Sequence, residues 1–481
     1  MRVVLVAAEA RPFATSGGLG DVLGALPAAL AAAGVDVSLV LPGHRSVLRS
    51  GHPLTPVAHV QAPVSNRSVA GRVLWLRDTA VPTYAIDAPA YFDRDELYGT
   101  RDGEYPDNAE RFAFFARAVL AWLRDTAHRP DLVHGHDWHA GLVPAFLRAA
   151  PETYPELRGV RLVHTIHNLA YQGSYWGLDW HLLTLDRRFF SPAYLEHNGH
   201  INFLKGGLVF SDAITTVSPR YAREIQTPEH GCGLDGVLRE RAGRLTGILN
   251  GIDDTLWDPA VDPAPPAHFS IDDPAGKTAC TAALRAELGL PATPDAPLLA
   301  LVTRLTWQKG IELLLGAMSR LLAETPVQVV VLGSGDAHLE DAVRAVAAAE
   351  PARVAARIAF DEPLSHRVIA GADLLLMPSR WEPCGLTQLY AQRYGTLPVV
   401  HATGGLDDTV VDAAQRHGTG FKFGAFTVEA LLEAVVAAVA AWRDPRERAR
   451  LMRNAMGADF SWRRAARAYA GLYASLAPGG A

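Results

Sequence analysis

Short apolar runs that alternate with helical patterns dominate the hydrophobic profile of the chain. The first run, residues 3–8, precedes a glycine-bearing loop at residues 14–20 and a helical pattern rich in alanine and leucine. A second run, residues 298–302, precedes another glycine-bearing loop at residues 303–310 and another helical pattern. A strand, a loop and a helix in this order open a doubly wound sheet. The pattern therefore predicts two separate beginnings of an α/β domain.

Other apolar runs predict further buried strands. Most are followed by helical patterns, as parallel sheets require; the runs lie at residues 37–41, 132–133, 162–166, 327–332 and 374–377. A proline-rich stretch at residues 258–266 excludes a regular element and predicts a domain connection. The predicted fold class is α/β, with two Rossmann-like doubly wound domains that face each other across a cleft.

The domain boundaries are predicted from that connection. Residues 1–249 form the N-terminal domain, residues 250–266 a hinge or linker, and residues 267–458 the C-terminal domain. The remaining residues, 459–481, contain a helical pattern that we expect to pack back on the N-terminal domain. They end in a disordered-looking Pro-Gly-Gly-Ala tail.

Composition narrows the possible functions. A length of 481 residues favours two or three domains, and a net charge of −6 argues against a general nucleic-acid binder. Three scattered cysteines support neither a disulfide framework nor a thiolate zinc site. The first apolar run is short for a signal peptide, and no apolar stretch reaches the length of a membrane span. These features predict a cytoplasmic enzyme.

The first loop with candidate chemistry is Ser-Gly-Gly-Leu-Gly-Asp at residues 16–21. Glycines between a strand and a helix let backbone N–H groups approach a phosphate, and the helix N-terminus adds partial positive charge. Glycines in such loops also serve close packing alone. This loop by itself leaves both interpretations open.

The second candidate loop carries two cations, Arg304 and Lys309, after a predicted strand. Open α/β sheets place ligands at the carboxyl ends of their strands. A guanidinium and an ammonium on one loop suit a diphosphate, and each charged hydrogen bond contributes roughly 1.5–3 kcal/mol. The alternative is a pair of solvated surface charges.

The third candidate is Glu382, which follows the predicted strand at residues 374–377 and precedes a helical pattern. An ionised carboxylate is favoured near a helix N-terminus. Glycosyl transfer develops oxocarbenium character, which a carboxylate beside the sugar stabilises. The alternative is that Glu382 only caps the helix.

Two further patterns partly match a nucleoside-triphosphate-binding loop and a metal site, but neither match is complete. Ala-Gly-Lys-Thr at residues 275–278 lacks the first glycine of a phosphate loop. The spacing of His134, His136 and His139 fits no helix-borne zinc pair, and no thiolate is near them in sequence. Polar site residues at a strand end are the preferred interpretation of these histidines.

Several longer motifs resemble the signatures of bacterial glycogen synthases and plant starch synthases. They are Ser-Arg-Trp-Glu-Pro-Cys-Gly-Leu-Thr-Gln-Leu-Tyr at 379–390, His-Gly-His-Asp-Trp-His-Ala-Gly-Leu at 134–142, Thr-Ile-His-Asn-Leu-Ala-Tyr-Gln-Gly at 165–173, Leu-Asn-Gly-Ile-Asp at 249–253 and Thr-Gly-Gly-Leu at 403–406. The resemblance implies the GT-B architecture, retention of the α-anomeric configuration, ADP-glucose as donor, an α-1,4-glucan as acceptor, and no metal or other cofactor.

The resemblance also implies roles for individual residues. Glu382 would take the central catalytic position, His167 would contact the transferred glucose, and Asp137 would lie between sugar and acceptor. Arg304 and Lys309 would hold the diphosphate. The other implied donor-binding positions are Gly18, Asp21, Asn250, Phe360 (against the adenine), Gly385, Leu386, Thr387, Gly404 and Gly405. The implied acceptor-binding positions are Tyr98 and Trp138.

One residue departs from the family pattern. The first loop of the family usually reads Lys-x-Gly-Gly-Leu, whereas Thr15 stands at the lysine position here. Loss of an ammonium that contacts the donor phosphates weakens donor binding or transition-state stabilisation by about 1–3 kcal/mol. Two alternatives therefore remain: a transferase with another donor such as UDP-glucose, and a weakly active or non-catalytic glucan-binding homologue.

Overall fold

The structure, a computed structural model, describes residues 1–100, 103–126 and 129–477. The predicted disordered-looking tail at residues 478–481 lies outside the described residues. The chain divides into two compact units. The first comprises Met1–Gly251 together with the chain from Trp462, and the second comprises Ile252–Ser461.

The first unit is built on a mixed sheet. Its strands are β1 (Arg2–Val6), β2 (Asp36–Pro42), β3 (Leu54–Val64), β4 (Arg67–Leu76), β5 (Thr83–Asp87), β6 (Gly99–Thr100), β7 (Gly103–Glu104), β8 (Leu132–His136), β9 (Arg161–Ile166), β10 (Ser174–Trp176), β11 (Glu196–His197), β12 (His200–Asn202), β13 (Ala213–Thr216) and β14 (Leu245–Gly247). Within the described residues, nine strands form the main sheet in the order β14-β13-β9-β8-β1-β2-β5-β4-β3. Pairing is parallel from β14 to β5 and antiparallel from β5 to β3.

Helices connect these strands. They are α1 (Gly18–Ala32), α2 (Arg45–Leu48), α3 (Pro89–Phe92), α4 (Asn108–Asp125), α5 (Asp137–Ala140), α6 (Leu142–Ala149), α7 (Phe203–Phe210), α8 (Pro219–Glu224) and α9 (Asp235–Glu240). Short 3₁₀ helices occupy Pro155–Leu157, Gly177–Leu183, Arg187–Phe189 and Ala242–Arg244. The predicted strands at residues 3–8, 37–41, 132–133 and 162–166 are confirmed as β1, β2, β8 and β9. The antiparallel β3–β4 hairpin was not among the predicted strands.

The second unit has a parallel sheet. Its strands are β15 (Leu298–Val302), β16 (Gln328–Leu332), β17 (Val354–Arg357), β18 (Leu374–Met377), β19 (Leu397–His401) and β20 (Phe421–Phe423). Its helices are α10 (Ala275–Leu288), α11 (Ile311–Glu324), α12 (Ala337–Ala349), α13 (Glu362–Gly371), α14 (Thr387–Arg393), α15 (Gly404–Thr409), α16 (Val428–Arg443) and α17 (Pro445–Met456). A 3₁₀ turn lies at Trp307–Lys309. The strand order is β17-β16-β15-β18-β19-β20, and every pair is parallel. Residues 258–266 contain no helix or strand. Because all six strands run the same way, their carboxyl ends share one edge.

The last helix, α18 (Trp462–Leu476), belongs to the first unit. Its aromatic residues Trp462, Tyr469 and Tyr473 are buried in the same apolar core as strand β1 and helix α1. In the described parts of the chain, no helix is both long enough and apolar enough to cross a membrane.

Candidate active site

Most of the predicted donor-binding residues of the second unit follow its strands at the shared carboxyl edge. Arg304 and Lys309 lie between β15 and α11, and Glu382 lies between β18 and α14. Gly404 and Phe360 follow β19 and β17. Since β15 and β18 are adjacent and parallel, the two loops that carry the cations and the carboxylate begin side by side.

Lys309 and Glu382, remote in sequence, meet directly. The Lys309 Nζ atom donates to Glu382 Oε2 over 2.6 Å, and the hydroxyl of Ser379 donates to the same oxygen over 3.0 Å. The side chains of Lys309 and Glu382 are only 15% and 7% exposed, respectively. The other carboxylate oxygen, Oε1, has no partner among the described residues. Helix α14 has Leu386 as its N-cap and no capping side chain, so the alternative that Glu382 caps this helix is wrong.

Backbone contacts hold the two loops together. The Arg380 backbone N–H donates to the Gln308 carbonyl over 2.9 Å, and a Cβ atom at Gly310 would lie 2.0 Å from the Pro378 carbonyl oxygen. The Arg380 side chain then pairs with Glu312 and stacks over the Trp307 ring at 4.4 Å. Glycine at position 310, which also has φ +67°, is therefore needed for the loops to approach closely.

A third loop closes against the backbone of Glu382. The Gly405 N–H donates to the Glu382 carbonyl over 3.0 Å, and a Cβ atom at Gly404 would lie 2.0 Å from that oxygen. A side chain at either glycine would push this loop away, because a Cβ atom at Gly405 would meet the Cys384 carbonyl at 2.1 Å. The glycine pair thus fixes the position of the Glu382 loop.

Two predicted donor-binding side chains on this edge point away from the protein interior. The Arg304 side chain is exposed and makes no hydrogen bond or ion pair with any described residue. Phe360 is 81% exposed. Of the other predicted positions, Gly385 has φ +71°, Leu386 is the α14 N-cap, and Thr387 is the first residue of that helix. Only Lys309 of the two cations is held by a partner, so the alternative of two solvated surface charges is wrong for Lys309.

In the first unit, predicted site residues also follow adjacent parallel strands. Asp137 comes directly after β8, and His167 directly after its neighbour β9. The Asp137 carboxylate accepts a hydrogen bond from the His167 backbone N–H over 2.7 Å. Asp137 has φ +55°, an unusual conformation for a residue with a side chain. The hydrogen bond to the next strand end helps to hold this strained backbone.

The titratable groups of this edge are shifted towards their neutral forms. Burial raises the pKa of Asp137 to about 7, although backbone hydrogen bonds from His167 and Asn168 oppose the shift. Burial lowers the pKa of His167 to about 3, and the nearby His164 adds to the effect. The His136 Nδ1 atom lies 2.9 Å from His167 Nε2, and burial also lowers the pKa of His136 well below its usual range.

The glycine-bearing loop is tied down by a carboxylate. Glu9, 3% exposed, accepts hydrogen bonds from the Ser16 backbone N–H at 2.5 Å, the Ser16 hydroxyl at 2.7 Å and the Tyr98 hydroxyl at 2.6 Å. A Cβ atom added at Gly17 or at Gly18 would meet nothing within 4 Å. Neither residue has a positive φ. Close packing against described residues therefore does not explain these two glycines.

The other predicted residues of the first unit vary in accessibility. Asp21 forms an ion pair with Arg11, and Asn250 is buried with an Oδ1 atom that has no partner. Trp138 is only 7% exposed and packs beside Tyr98, with ring centroids 6.1 Å apart. Thr15 is exposed, and its hydroxyl lies where a Cβ atom at Gly20 would collide with it.

Three residues to which the sequence analysis gave no individual role contact residues with a predicted role or the loop that carries them. Glu9 fixes the glycine loop, His136 contacts His167, and Ser379 contacts Glu382. Glu9 and His136 each stand at or just after the end of a buried strand, and Ser379 lies inside the quoted 379–390 motif. Their positions were visible in the sequence, but their hydrogen bonds were not.

Comparison with sequence families covers most of the chain. The profile described as starch synthase catalytic domain matches residues 2–240. The profile described as glycosyl transferases group 1 matches residues 287–456.

Curated relatives and solved structures extend this similarity over the full length. The chain is 50% identical to a glycogen synthase of Anaeromyxobacter dehalogenans over 481 residues, covering 100% of both chains. It is 45% identical to a glycogen synthase of Syntrophotalea carbinolica, covering 98% of both. The catalytic domain of starch synthase IV from Arabidopsis thaliana, solved with ADP and acarbose, matches with a TM-score of 0.90 and 33% identity over 98% of this chain and 99% of that one. A sucrose-phosphate synthase from Thermosynechococcus elongatus, at 21% identity, 99% and 98% coverage and a TM-score of 0.62, shares the fold.

Proposed function

We propose that this chain transfers glucose from ADP-glucose to the non-reducing 4-hydroxyl of an α-1,4-glucan, with retention of configuration. The proposal starts from the finding that the chain belongs to the glycogen and starch synthase family of glycosyltransferases and has the GT-B fold. The observation that carries the proposal is the buried Lys309–Glu382 pair at the carboxyl edge of the second unit. We assign the nucleotide sugar to this unit and the acceptor glucan to the first unit.

In the proposed reaction, the bond from glucose C1 to the diphosphate breaks, and a bond from C1 to the acceptor oxygen forms on the same face. The proton of the acceptor hydroxyl passes to the leaving diphosphate oxygen. Positive charge develops on the sugar, and Glu382, with Oε1 unpartnered, stabilises it. Lys309 and the exposed Arg304 stabilise the negative charge on the diphosphate.

The first unit would contact the transferred glucose and the acceptor. His167 and Asp137 offer neutral hydrogen-bonding groups, which suit sugar hydroxyls better than phosphate oxygens. The unfilled space at Gly17 and Gly18, beside the N-terminus of α1, suits the approach of a ligand to the backbone. These observations favour a transferase over a glucan-binding homologue without activity.

The test is a transfer assay with glycogen and either ADP-glucose or UDP-glucose, in which released nucleotide and glucan chain length are measured. We expect much more chain growth with ADP-glucose than with UDP-glucose, and a higher kcat/KM for ADP-glucose. Omission of glycogen is the control for donor hydrolysis. A higher kcat/KM for UDP-glucose would overturn the donor assignment, and glycogen binding without transfer from either donor would overturn the transferase proposal.

A further inference from the structure

The environment of His167 contains a second histidine that the proposed reaction does not use. Strands β8 and β9 pair in parallel with His136 opposite Thr165, so His136 lies close to the residue that follows β9. The His136 Nδ1 and His167 Nε2 atoms are 2.9 Å apart, within hydrogen-bonding distance. The His167 backbone is held as well, by the Asp137 carboxylate. Both the ring and the main chain of His167 are therefore positioned by β8 and the residue after it.

Both imidazoles are neutral at physiological pH, because burial lowers their pKa values. A neutral imidazole has one N–H and one bare nitrogen. The hydrogen bond between the two rings can then be made in two ways. In the first, His136 donates from Nδ1, and the N–H of His167 is on its Nδ1. In the second, His167 donates from Nε2, and the N–H of His136 is on its Nε2.

Burial distinguishes these two arrangements. The Nε2 atom of His136 is fully buried and has no hydrogen-bond partner in the described structure. The second arrangement would leave an N–H donor there without any acceptor, and orphaned buried donors are rare and costly. His167 is partly exposed, and its Nδ1 atom is not among the buried unpartnered atoms. The first arrangement places the remaining N–H at this reachable atom.

We propose that His136 is a positioning residue that fixes the tautomer of His167, so that His167 presents an Nδ1–H donor to a hydroxyl oxygen of the transferred glucose. The role towards glucose rests on the function proposed above. In this tautomer the reachable nitrogen of His167 can donate a hydrogen bond and cannot accept a proton. His167 therefore orients the sugar and does not act as a general base through Nδ1.

A neighbouring ring restrains the His136 ring. The His134 ring packs against His136 with centroids 4.2 Å apart and ring planes tilted by 33°, and both nitrogens of His134 have partners. His134 Nδ1 is 2.7 Å from the Tyr473 hydroxyl, and Nε2 is 2.6 Å from the Thr165 hydroxyl. His134 therefore restrains His136 by ring packing without competing for its Nδ1 atom.

Neutron diffraction of the wild-type protein, exchanged into heavy water, tests the tautomer without any substrate. We expect deuterium on Nδ1 of both His136 and His167. Deuterium on Nε2 of His167 would overturn the assignment, whatever reaction the protein catalyses. This readout also stands if a variant fails to fold.

Two variants test the consequence for turnover. His136→Leu removes the donor, and we expect kcat to fall about tenfold, the size of one lost hydrogen bond, with the KM for glycogen unchanged. His136→Asn places an amide N–H near the original Nδ1 and should recover most of that loss. Equal kcat values for wild type and His136→Leu, or no difference between the two variants, would overturn the positioning role. If the wild type itself transfers no glucose, the proposed function fails and the neutron result still decides the tautomer.

Discussion

The two sheet edges that carry the candidate site residues keep buried polar groups stable by opposite means. In the second unit, opposite charges pair: Lys309 meets the buried Glu382 at 2.6 Å, and the half-buried Arg380 meets Glu312 at 2.8 Å. In the first unit, burial favours the neutral form, raising the pKa of Asp137 to about 7 and lowering that of His167 to about 3. A buried ionisable group is costly unless it is paired or neutralised.

This difference separates two kinds of chemistry that a glycosyltransferase needs. Paired charges at the second edge can exchange partners with a diphosphate and with developing positive charge on a sugar. Neutral donors and acceptors at the first edge suit hydroxyl groups better than anions. Each of the following experiments changes one side of this comparison and leaves the other intact.

The largest effect is expected at Glu382. Glu382→Gln keeps the shape of the side chain and removes its charge, so stabilisation of the oxocarbenium-like transition state is lost. We expect kcat to fall on the order of a hundredfold or more, as for other preorganised electrostatic contacts. The matched control is Glu312→Gln, which neutralises a carboxylate on α11, beside the same loops, and should change kcat by less than about threefold. Near-normal turnover of Glu382→Gln in the glycogen assay would exclude its catalytic role.

Substitutions of the two cations of the β15–α11 loop should distinguish an effect on stability from an effect on donor binding. Lys309→Met leaves the buried Glu382 carboxylate without its charged partner, and we expect the free energy of unfolding to fall by about 3 kcal/mol. Arg304→Met, at an exposed and unpaired position, should change it by less than about 0.5 kcal/mol. Both variants should raise the KM for the nucleotide sugar. Urea denaturation and donor titration measure these quantities, and equal stability losses would contradict the assigned environments.

The topology predicted from the sequence explains why Lys309 and Glu382 meet. Each residue follows a buried apolar run, and such runs become parallel strands whose carboxyl ends share an edge. The β3–β4 hairpin was missed because its strands contain Pro56 and Pro63 and alternate polar with apolar residues, unlike the apolar runs from which strands were predicted. Their periodicity belongs to an antiparallel sheet with one solvated face.

Hydrogen bonds that cross between strand ends could not be predicted in the same way. Glu9 and the Tyr98 hydroxyl are 89 residues apart, and the His136–His167 contact depends on ring orientations that sequence spacing does not determine. The pKa of Asp137 likewise follows from its burial in the folded chain. Motifs therefore identified the candidate site residues, whereas their hydrogen bonds and pKa shifts follow only from the folded structure.

The neutral edge is tested by the pH dependence of stability. The folded pKa of Asp137, about 7, exceeds the ordinary value of 3.8. Between these values the folded state binds a proton that the unfolded state has released, so this group lowers the free energy of unfolding as pH rises. Asp137→Asn removes that contribution, and above pH 7 we expect it to be more stable than wild type by about 2 kcal/mol. The gain should shrink towards pH 4.

Urea midpoints of wild type and Asp137→Asn across pH 4 to 8 measure this effect. The control is Asp179→Asn, a partly exposed position in the same unit, for which the difference from wild type should not depend on pH. A constant difference between wild type and Asp137→Asn over the whole range would show that Asp137 is charged in the folded protein at neutral pH. The contrast between the two sheet edges would then disappear.

The smallest expected effect is a gain in kcat/KM from a substitution at position 15. A lysine there would add to the first edge a positive charge of the kind found at the second edge. Thr15 is exposed, and the neighbouring Gly17 and Gly18 leave open space, so a lysine fits without displacing described residues. Thr15→Lys should raise kcat/KM for ADP-glucose about tenfold, the size of one charge-assisted hydrogen bond. Thr15→Met supplies a long side chain without the charge and should give no gain.

Ionic strength separates an electrostatic gain from a change in packing. An exposed ammonium that attracts phosphate is screened at about 10 Å in 0.1 M salt and at about 3 Å in 1 M salt, so the advantage of Thr15→Lys over Thr15→Met should diminish as salt is added. His167 would be little affected by the same salt, because its lowered pKa of about 3 leaves it without a charge to screen at neutral pH. If Thr15→Lys gives no gain even at low salt, then Arg304 and Lys309 already meet the needs of the diphosphate, and the missing lysine does not limit the reaction.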